Sequence, residues 1–118
     1  MKCAVIGGKG FIGKHLAFYL NGRGYDVKTY DIIPGEEESY LCVDMTNSES
    51  VSKIDLNVDY IYMFAGLTGT YVGFDAYEKY ININEIALLN LLDAIRKSEF
   101  RPKVIFPSTR LVYKGYDK

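Results

Sequence analysis

Short apolar runs alternate along this chain with longer stretches in which apolar residues recur every three or four positions. The runs predict five strands, at residues 2–6, 26–31, 39–43, 58–64 and 103–107. The periodic stretches predict three helices, at residues 11–22, 47–54 and 74–97. Strands that alternate with helices indicate βαβ units, and therefore an α/β fold with a parallel sheet and helices on both faces.

The long helix and the helix ends give the most detailed local expectations. The apolar stripe predicted to face the sheet has one polar member, Asn84, and comprises Phe74, Tyr77, Ile81, Asn84, Leu88, Leu91 and Ile95. The sequence at residues 21–24 predicts that a glycine ends the first helix. Thr46 and Glu49 have the spacing of a capping box, so Thr46 is expected to begin the short helix.

A glycine turn follows the first strand and leads directly into the first helix. Gly8, Gly10 and Gly13 fit the general dinucleotide spacing, and Gly7, Gly10 and Gly13 fit a variant of it. Glycines in such a turn serve three tasks, which are a sharp turn, a close approach of backbone amides to a diphosphate, and tight packing of the helix on the strand. A helix that begins at such a turn offers free N–H groups and a partial positive charge to an anion. With right-handed crossovers, the turn predicts the strand order 3-2-1-4-5 and a ligand at the switch point between strands 1 and 4.

An acid at the end of the second strand strengthens the case for a dinucleotide. Asp31 lies 18 residues after Gly13, where a carboxylate can accept hydrogen bonds from both ribose hydroxyls of NAD and would repel a 2′-phosphate. The alternative is an ordinary glycine turn with an incidental surface acid. The acidic stretch at residues 34–38 is interpreted as a solvated loop between strands.

The ends of the other strands point to the same crevice. Asp44 can accept the adenine amino group while Met45 packs on the ring, although Asp44 is equally well interpreted as an acid beside the short helix. Ala65 and Gly66 are small enough for backbone to lie close to a cofactor, or for tight packing within the sheet. Pro107 ends the fifth strand and is followed by two hydroxyl residues, Ser108 and Thr109.

Composition mainly excludes functions. The 118 residues suit one domain, and a net charge of −1 gives no basic field for nucleic acid or an anionic membrane. No apolar run is long enough to cross a bilayer, and no signal peptide pattern begins the chain. Cys3 and Cys42 fall in predicted strands and are expected to be buried thiols in a reduced, cytoplasmic setting. One histidine and two such cysteines predict no metal site.

Six ordered motifs resemble the extended short-chain dehydrogenase/reductase family, in particular its nucleotide-sugar epimerases and dehydratases. The glycine turn at residues 7–16 and the acid Asp31 match that family's NAD-binding elements. Four further segments resemble its adenine contact, its strand-4 segment, its helical asparagine motif and its strand-5 segment: Asp44-Met45, Phe64-Ala65-Gly66-Leu67, Asn82-Ile83-Asn84 and residues 106–113.

The resemblance implies a Rossmann-type domain, NAD as cofactor, a nucleoside-diphosphate sugar as substrate and a homodimer. It implies catalysis by Thr109, whose hydroxyl would polarise the substrate oxygen, with Ser108 near the nicotinamide. Asn82 would help to seat the cofactor. The complete set implied to contact the cofactor is Gly7, Gly10, Phe11, Ile12, Gly13, Asp31, Asp44, Met45, Phe64, Ala65, Gly66, Asn82 and Ser108.

One element of the family pattern is missing. The family's general base is the tyrosine of a Tyr-x-x-x-Lys motif, and none of the eleven tyrosines here has lysine four residues later. We therefore expect residues 1–118 to be the truncated, N-terminal NAD-binding domain of a longer enzyme, inactive alone. The parent would be an epimerase, favoured by the strand-4 segment, or a dehydratase. The alternative is a non-catalytic module that binds NAD or senses its redox state.

Overall fold

The structure, a computed structural model, describes residues 1–64 and 77–106, with residues 77–83 described by their backbone alone. Predicted features at residues 65–76 and 107–118 lie outside the described residues. The elements in chain order are β1 (Lys2–Ile6), α1 (Phe11–Gly22), β2 (Asp26–Asp31), β3 (Tyr40–Cys42), α2 (Ser48–Val51), β4 (Tyr60–Met63), α3 (Tyr77–Lys97) and β5 (Lys103–Ile105). Where they can be compared, predicted and observed bounds differ by a few residues, mostly because the short elements are shorter than predicted.

The five strands form one parallel sheet in the order β3-β2-β1-β4-β5, which confirms the predicted topology. β1 lies at the centre, and its last residue, Ile6, pairs with Tyr30 on one side and Met63 on the other. The chain therefore leaves β1 toward β2, and later crosses to β4 on the opposite side. The carboxyl ends of β1, β2 and β4 meet at one edge of the sheet, where a ligand is expected.

Apolar layers cover both faces of the sheet. On one face α2 and α3 pack over the larger core, in which Ile6, Ile61 and Leu91 are fully buried. On the other face α1 covers a smaller core around Cys3 and Val5. This arrangement confirms the predicted α/β class and explains why the central strand β1 is a nearly continuous apolar run.

The described part of the predicted α3 stripe does face the sheet. Leu91 and Ile95 are buried, and Leu88 packs at the border of the core. Ala87 also belongs to the buried face, although its small side chain gave no periodic signal. Within the described ranges no helix, α3 included, combines the length and the apolar composition needed to cross a bilayer.

The two predicted helix ends had different outcomes. Gly24 has φ +84°, and the N–H of Tyr25 donates to the Leu20 carbonyl at 3.2 Å, so a glycine just past the last turn does terminate α1. The predicted capping box is wrong. Asn47 is the N-cap of α2, because its side-chain oxygen accepts the N–H of Glu49 at 2.9 Å and that of Ser50 at 3.1 Å.

The two cysteines also differ. Cys3 is buried in the central strand, as expected, but Cys42 is exposed. The burial predicted for Cys42 is wrong because β3 is an edge strand that pairs only with β2. Its thiol donates to the Ile32 carbonyl at a sulfur–oxygen distance of 3.2 Å. Both thiols are free.

Candidate functional site

The turn between β1 and α1 is held against the end of β2. Gly7 has φ +88°, in the left-handed region that favours glycine, and its N–H donates to the Tyr30 carbonyl at 2.7 Å. The N–H of Gly8 donates to the same oxygen at 3.0 Å. Gly10 closes the turn, with its N–H 3.1 Å from the Gly7 carbonyl oxygen. The predicted sharp turn therefore occurs at Gly7.

Close packing explains two of the turn's glycines. A Cβ atom at Gly13 would lie 2.2 Å from the Gly7 carbonyl oxygen, which no side chain can tolerate without a backbone shift. A Cβ at Gly8, the first glycine of the general dinucleotide spacing, would lie 2.7 Å from Cβ of Thr29. Gly13 thus allows the first turn of α1 to pack against the glycine turn at Gly7 and Gly8, while Gly8 allows that turn to pack against β2.

The first turn of α1 provides free backbone donors. Gly10 is the N-cap, with extended backbone and no hydrogen bond from a side chain, and the first turn contains no acidic residue. Phe11 and Ile12 are strongly exposed, at 81% and 60%. The N–H groups of residues 11–13 precede the first intrahelical donor, Lys14, whose N–H reaches the Gly10 carbonyl at 2.9 Å. This end of α1 suits an anion, because uncapped donors and the helix dipole act together there.

Asp31 lies beside these donors at the end of β2. One of its carboxylate oxygens accepts the backbone N–H of Lys9 at 2.9 Å, and the other accepts that of Ile32 at 2.7 Å. Two backbone donors therefore fix the carboxylate next to the glycine turn. Each carboxylate oxygen can accept more than one hydrogen bond, so both retain capacity for the hydroxyls of a ligand.

Lys9, Glu37 and Tyr40 link the glycine turn to the loop between β2 and β3. The ammonium group of Lys9 lies 2.7 Å from a carboxylate oxygen of Glu37 and 4.5 Å from the centre of the Tyr40 ring. The Tyr40 hydroxyl donates to the Asp31 carbonyl at 3.0 Å and also contacts the Ile33 carbonyl. Burial, assisted by the nearby charge of Asp31, raises the pKa of Tyr40 from 10 to about 12, so its hydroxyl stays protonated even in alkaline solution near pH 10.

This cluster was not anticipated. The sequence of residues 34–38 indicates a loop with solvated acids, whereas in the structure Glu37 of this loop forms an ion pair with Lys9 of the glycine turn. A cleft of about 460 Å³ lies beside the cluster, lined by Gly8, Lys9, Lys14, Thr29, Ile33, Glu37 and Tyr40. Asp31 lies beside the cleft, because two of the lining residues, Lys9 and Tyr40, are hydrogen-bonded to it.

The end of β3 gives a mixed result. Asp44 accepts the backbone N–H of Thr46 at 3.0 Å and its hydroxyl at 2.7 Å, which is the local role considered for an acid before the short helix. Met45 is only 6% exposed and belongs to the core. Asn90 of α3, which sequence reasoning missed, donates from its side-chain amide to the Met45 carbonyl at 2.8 Å. The adenine contacts of Asp44 and Met45 stay predictions.

The remaining predicted residues are only partly described. Phe64 is half-buried after β4, and its N–H donates to the Ile6 carbonyl at 2.8 Å, so it lies next to the end of β1. Asn82 lies in α3, but its side chain is not among those described. Four predicted site residues lie outside the described residues: Ala65, Gly66, Ser108 and Thr109.

Comparison with known proteins identifies the family. The model of the NAD dependent epimerase/dehydratase family matches residues 3–118. The chain belongs to this family. The resemblance drawn from the motifs is thereby confirmed, and the fold agrees with it. UDP-glucose 4-epimerase from Bifidobacterium longum, solved in complex with NAD+ and UDP, superposes with a TM-score of 0.85 at 25% identity, over 97% of this chain and 38% of that chain.

Two curated relatives show how far the likeness extends. The bifunctional protein GAL10 of Kluyveromyces lactis is 26% identical over 94% of this chain, which corresponds to 18% of its own length. The sterol-4-alpha-carboxylate 3-dehydrogenase (decarboxylating) of Mus musculus is 26% identical over 98% of this chain and 32% of its own length. The chain thus spans about a third or less of the length of these relatives.

Proposed function

We propose that this chain is the NAD-binding domain of a longer enzyme that transiently oxidises a hydroxyl group of a nucleoside-diphosphate sugar. The observation that carries the proposal is the pairing of an uncapped helix N-terminus with a fixed carboxylate. Lys9 links these two features, because it directly precedes the N-cap Gly10 and its backbone N–H donates to the Asp31 carboxylate at 2.9 Å. The first feature suits a diphosphate and the second suits a ribose diol, so together they fit the adenosine diphosphate half of NAD.

Each residue of the site has a proposed task. Gly7 shapes the turn, and the backbone of Gly10, Phe11, Ile12 and Gly13 binds the diphosphate. Asp31 accepts the ribose hydroxyls. We assign Asp44 and Met45 to the adenine and Ser108 to the nicotinamide. The remaining residues assigned to cofactor contacts are Phe64, Ala65, Gly66 and Asn82.

Bound NAD would supply a reversible hydride acceptor. The chain's own contribution to the reaction is the hydroxyl of Thr109, which we assign to the substrate oxygen as a hydrogen-bond donor. The proton of the substrate hydroxyl needs a base, and none of the tyrosines in this sequence has the Tyr-x-x-x-Lys spacing. We therefore assign the base and the sugar site to a part of the enzyme beyond these residues, and expect residues 1–118 to bind NAD without turning over a sugar.

The substrate class rests on named relatives and on one short motif. The Bifidobacterium structure contains UDP, and Phe64-Ala65-Gly66-Leu67 resembles the strand-4 segment of 4-epimerases. Epimerisation at a sugar carbon is accordingly preferred to dehydration. The two free thiols fit a cytoplasmic enzyme.

A homodimer through α3 forms part of the proposal. Three apolar residues spaced by three, Ile86, Leu89 and Leu92, lie on the outer side of this helix at 43%, 62% and 43% exposure. A stripe of this kind is expected to be covered in the assembled enzyme.

Calorimetric titration of NAD into the purified chain tests the proposal. One saturable site is expected, and Asp31→Asn should weaken binding by about tenfold, because a charge-assisted hydrogen bond becomes a neutral one. The same preparation should give no 4-epimerase activity with UDP-glucose. A folded chain that fails to bind NAD would refute the binding function, and epimerase turnover by residues 1–118 would refute the assignment of the base elsewhere.

A further inference from the structure

We propose that Glu37 is a specificity-determining residue: by pairing with Lys9, it withholds a cation from a 2′-phosphate and so reinforces the preference for NAD over NADP. The inference rests on the proposed NAD-binding function. It adds a second determinant to Asp31, in a loop where the sequence alone indicated only solvated acids.

The position of Lys9 is the first argument. Its backbone N–H holds the Asp31 carboxylate at 2.9 Å, while its ammonium group is 2.7 Å from Glu37. The ammonium group also lies 4.5 Å from the centre of the Tyr40 ring, which adds a cation–π contact. One residue of the glycine turn therefore contacts both the ribose acid and the loop that follows it.

The charge around the adjoining cleft is the second argument. Two cations, Lys9 and Lys14, and one anion, Glu37, line the cleft beside Asp31. Lysine ammonium groups bind phosphate well when they are not already neutralised. To reach the ammonium group of Lys9, a 2′-phosphate would have to displace the carboxylate of Glu37. It would then still lie close to two negative charges, those of Glu37 and Asp31.

Exposure indicates that the pair can be separated without damage to the fold. The Glu37 side chain is 61% exposed and that of Lys9 is 26% exposed. Surface ion pairs of this type contribute little to stability. Removing the Glu37 carboxylate should therefore release the ammonium group and leave the glycine turn unchanged.

Binding measurements on Glu37→Gln test the inference, with Glu38→Gln as matched control, since Glu38 is an exposed acid of the same loop. NAD, NADP and the adenosine fragments 5′-ADP and 2′,5′-ADP are titrated calorimetrically. For Glu37→Gln we expect NADP and 2′,5′-ADP to bind about fivefold to tenfold more tightly, with NAD and 5′-ADP within about twofold of wild type. Glu38→Gln should change the NADP affinity by less than about twofold, and the gain in Glu37→Gln should shrink with added salt.

A double variant identifies the cation. In a Lys9→Gln background, Glu37→Gln should no longer improve NADP binding. An equal gain with Lys9 absent, or an equal gain in Glu38→Gln, would overturn the inference and leave NAD binding intact. If the folded wild-type chain bound neither NAD nor 5′-ADP, the proposed function and this inference would fail together. Retained NAD binding by Glu37→Gln shows that the variant is folded, so an unchanged NADP affinity in it would also overturn the inference.

Discussion

Replacing Gly13 with alanine tests the packing on which the cofactor site is built. The new Cβ would lie 2.2 Å from the Gly7 carbonyl oxygen and 2.9 Å from its carbonyl carbon. Ordinary contacts of this kind are about 3.5 Å or longer, so α1 would have to move away from the backbone of Gly7 by roughly 1 Å. Overpacking of this size costs about 1–3 kcal/mol of folding free energy. Such a shift also moves the diphosphate-binding end of α1 relative to Asp31.

Gly22→Ala is a matched control in the same helix. No heavy atom lies within 4 Å of a Cβ built at Gly22, and its φ is not positive. Alanine there should leave stability unchanged or raise it by up to about 1 kcal/mol, because glycine is a poor helix former.

Urea denaturation followed by circular dichroism measures the stability of both variants, and calorimetry measures their affinity for NAD. For Gly13→Ala we expect a lower denaturation midpoint, a thermal midpoint lower by roughly 5–20 °C, and at least about tenfold weaker NAD binding, the effect of a loss of 1.4 kcal/mol. If Gly13→Ala matched Gly22→Ala in both assays, the close approach of α1 to the turn would be refuted as the basis of the site.

Three further predictions concern other contacts. Asn47→Ala should destabilise the chain by about 0.5–2 kcal/mol in urea denaturation, because it removes the side-chain cap of α2; Thr46→Ala should cost less, and the opposite order would restore the rejected capping box. Tyr40→Phe should cost about 0.5–1.5 kcal/mol in the same assay, because it removes the hydroxyl donated to the Asp31 carbonyl; an unchanged midpoint would contradict that contact. Burial raises the pKa of Tyr40 from 10 to about 12, so the stability contributed by its protonated phenol should be complete below pH 10 and be lost as the pH rises toward 12. In pH-dependent unfolding the loss should be smaller in Tyr40→Phe than in wild type, because only Tyr30 and Tyr62, whose pKa values burial also raises, still contribute to it among the described tyrosines; an equal loss in both would contradict this role of Tyr40.

The features that sequence predicted well depend on local rules. The spacing of the glycines after a strand predicts that one of them allows tight packing of the helix, and Gly13 is that residue, because its Cβ would meet the Gly7 carbonyl. The strand order followed from the handedness of crossovers and the position of the turn. Both rules act within a few dozen residues, so one sequence is enough to apply them.

The features that sequence missed depend on which segments meet in space. The Lys9–Glu37 pair joins residues 28 apart, and no periodicity records that approach. The side-chain amide of Asn90 donates to the Met45 carbonyl, 45 residues earlier in the chain. Asn90 does not belong to the periodic apolar stripe of α3, so the sequence pattern did not indicate this contact. Cys42 has the same kind of apolar neighbours as Cys3, but its strand lies at the edge of the sheet and exposes it. The capping-box spacing indicates Thr46, but the adjacent Asn47 is also a good capping residue, and a shift of one residue in the start of α2 decides between them.

The central claim, that the glycine turn and Asp31 form a dinucleotide site, is tested most directly by NMR. Amide spectra of the ¹⁵N-labelled chain are recorded during titration with NAD. We predict saturable shifts concentrated at the amides of Gly10, Phe11, Ile12 and Gly13, together with Lys9 and Ile32, whose N–H groups hold the Asp31 carboxylate. Saturable shifts located elsewhere, or a well-dispersed spectrum unchanged by NAD, would contradict the claim.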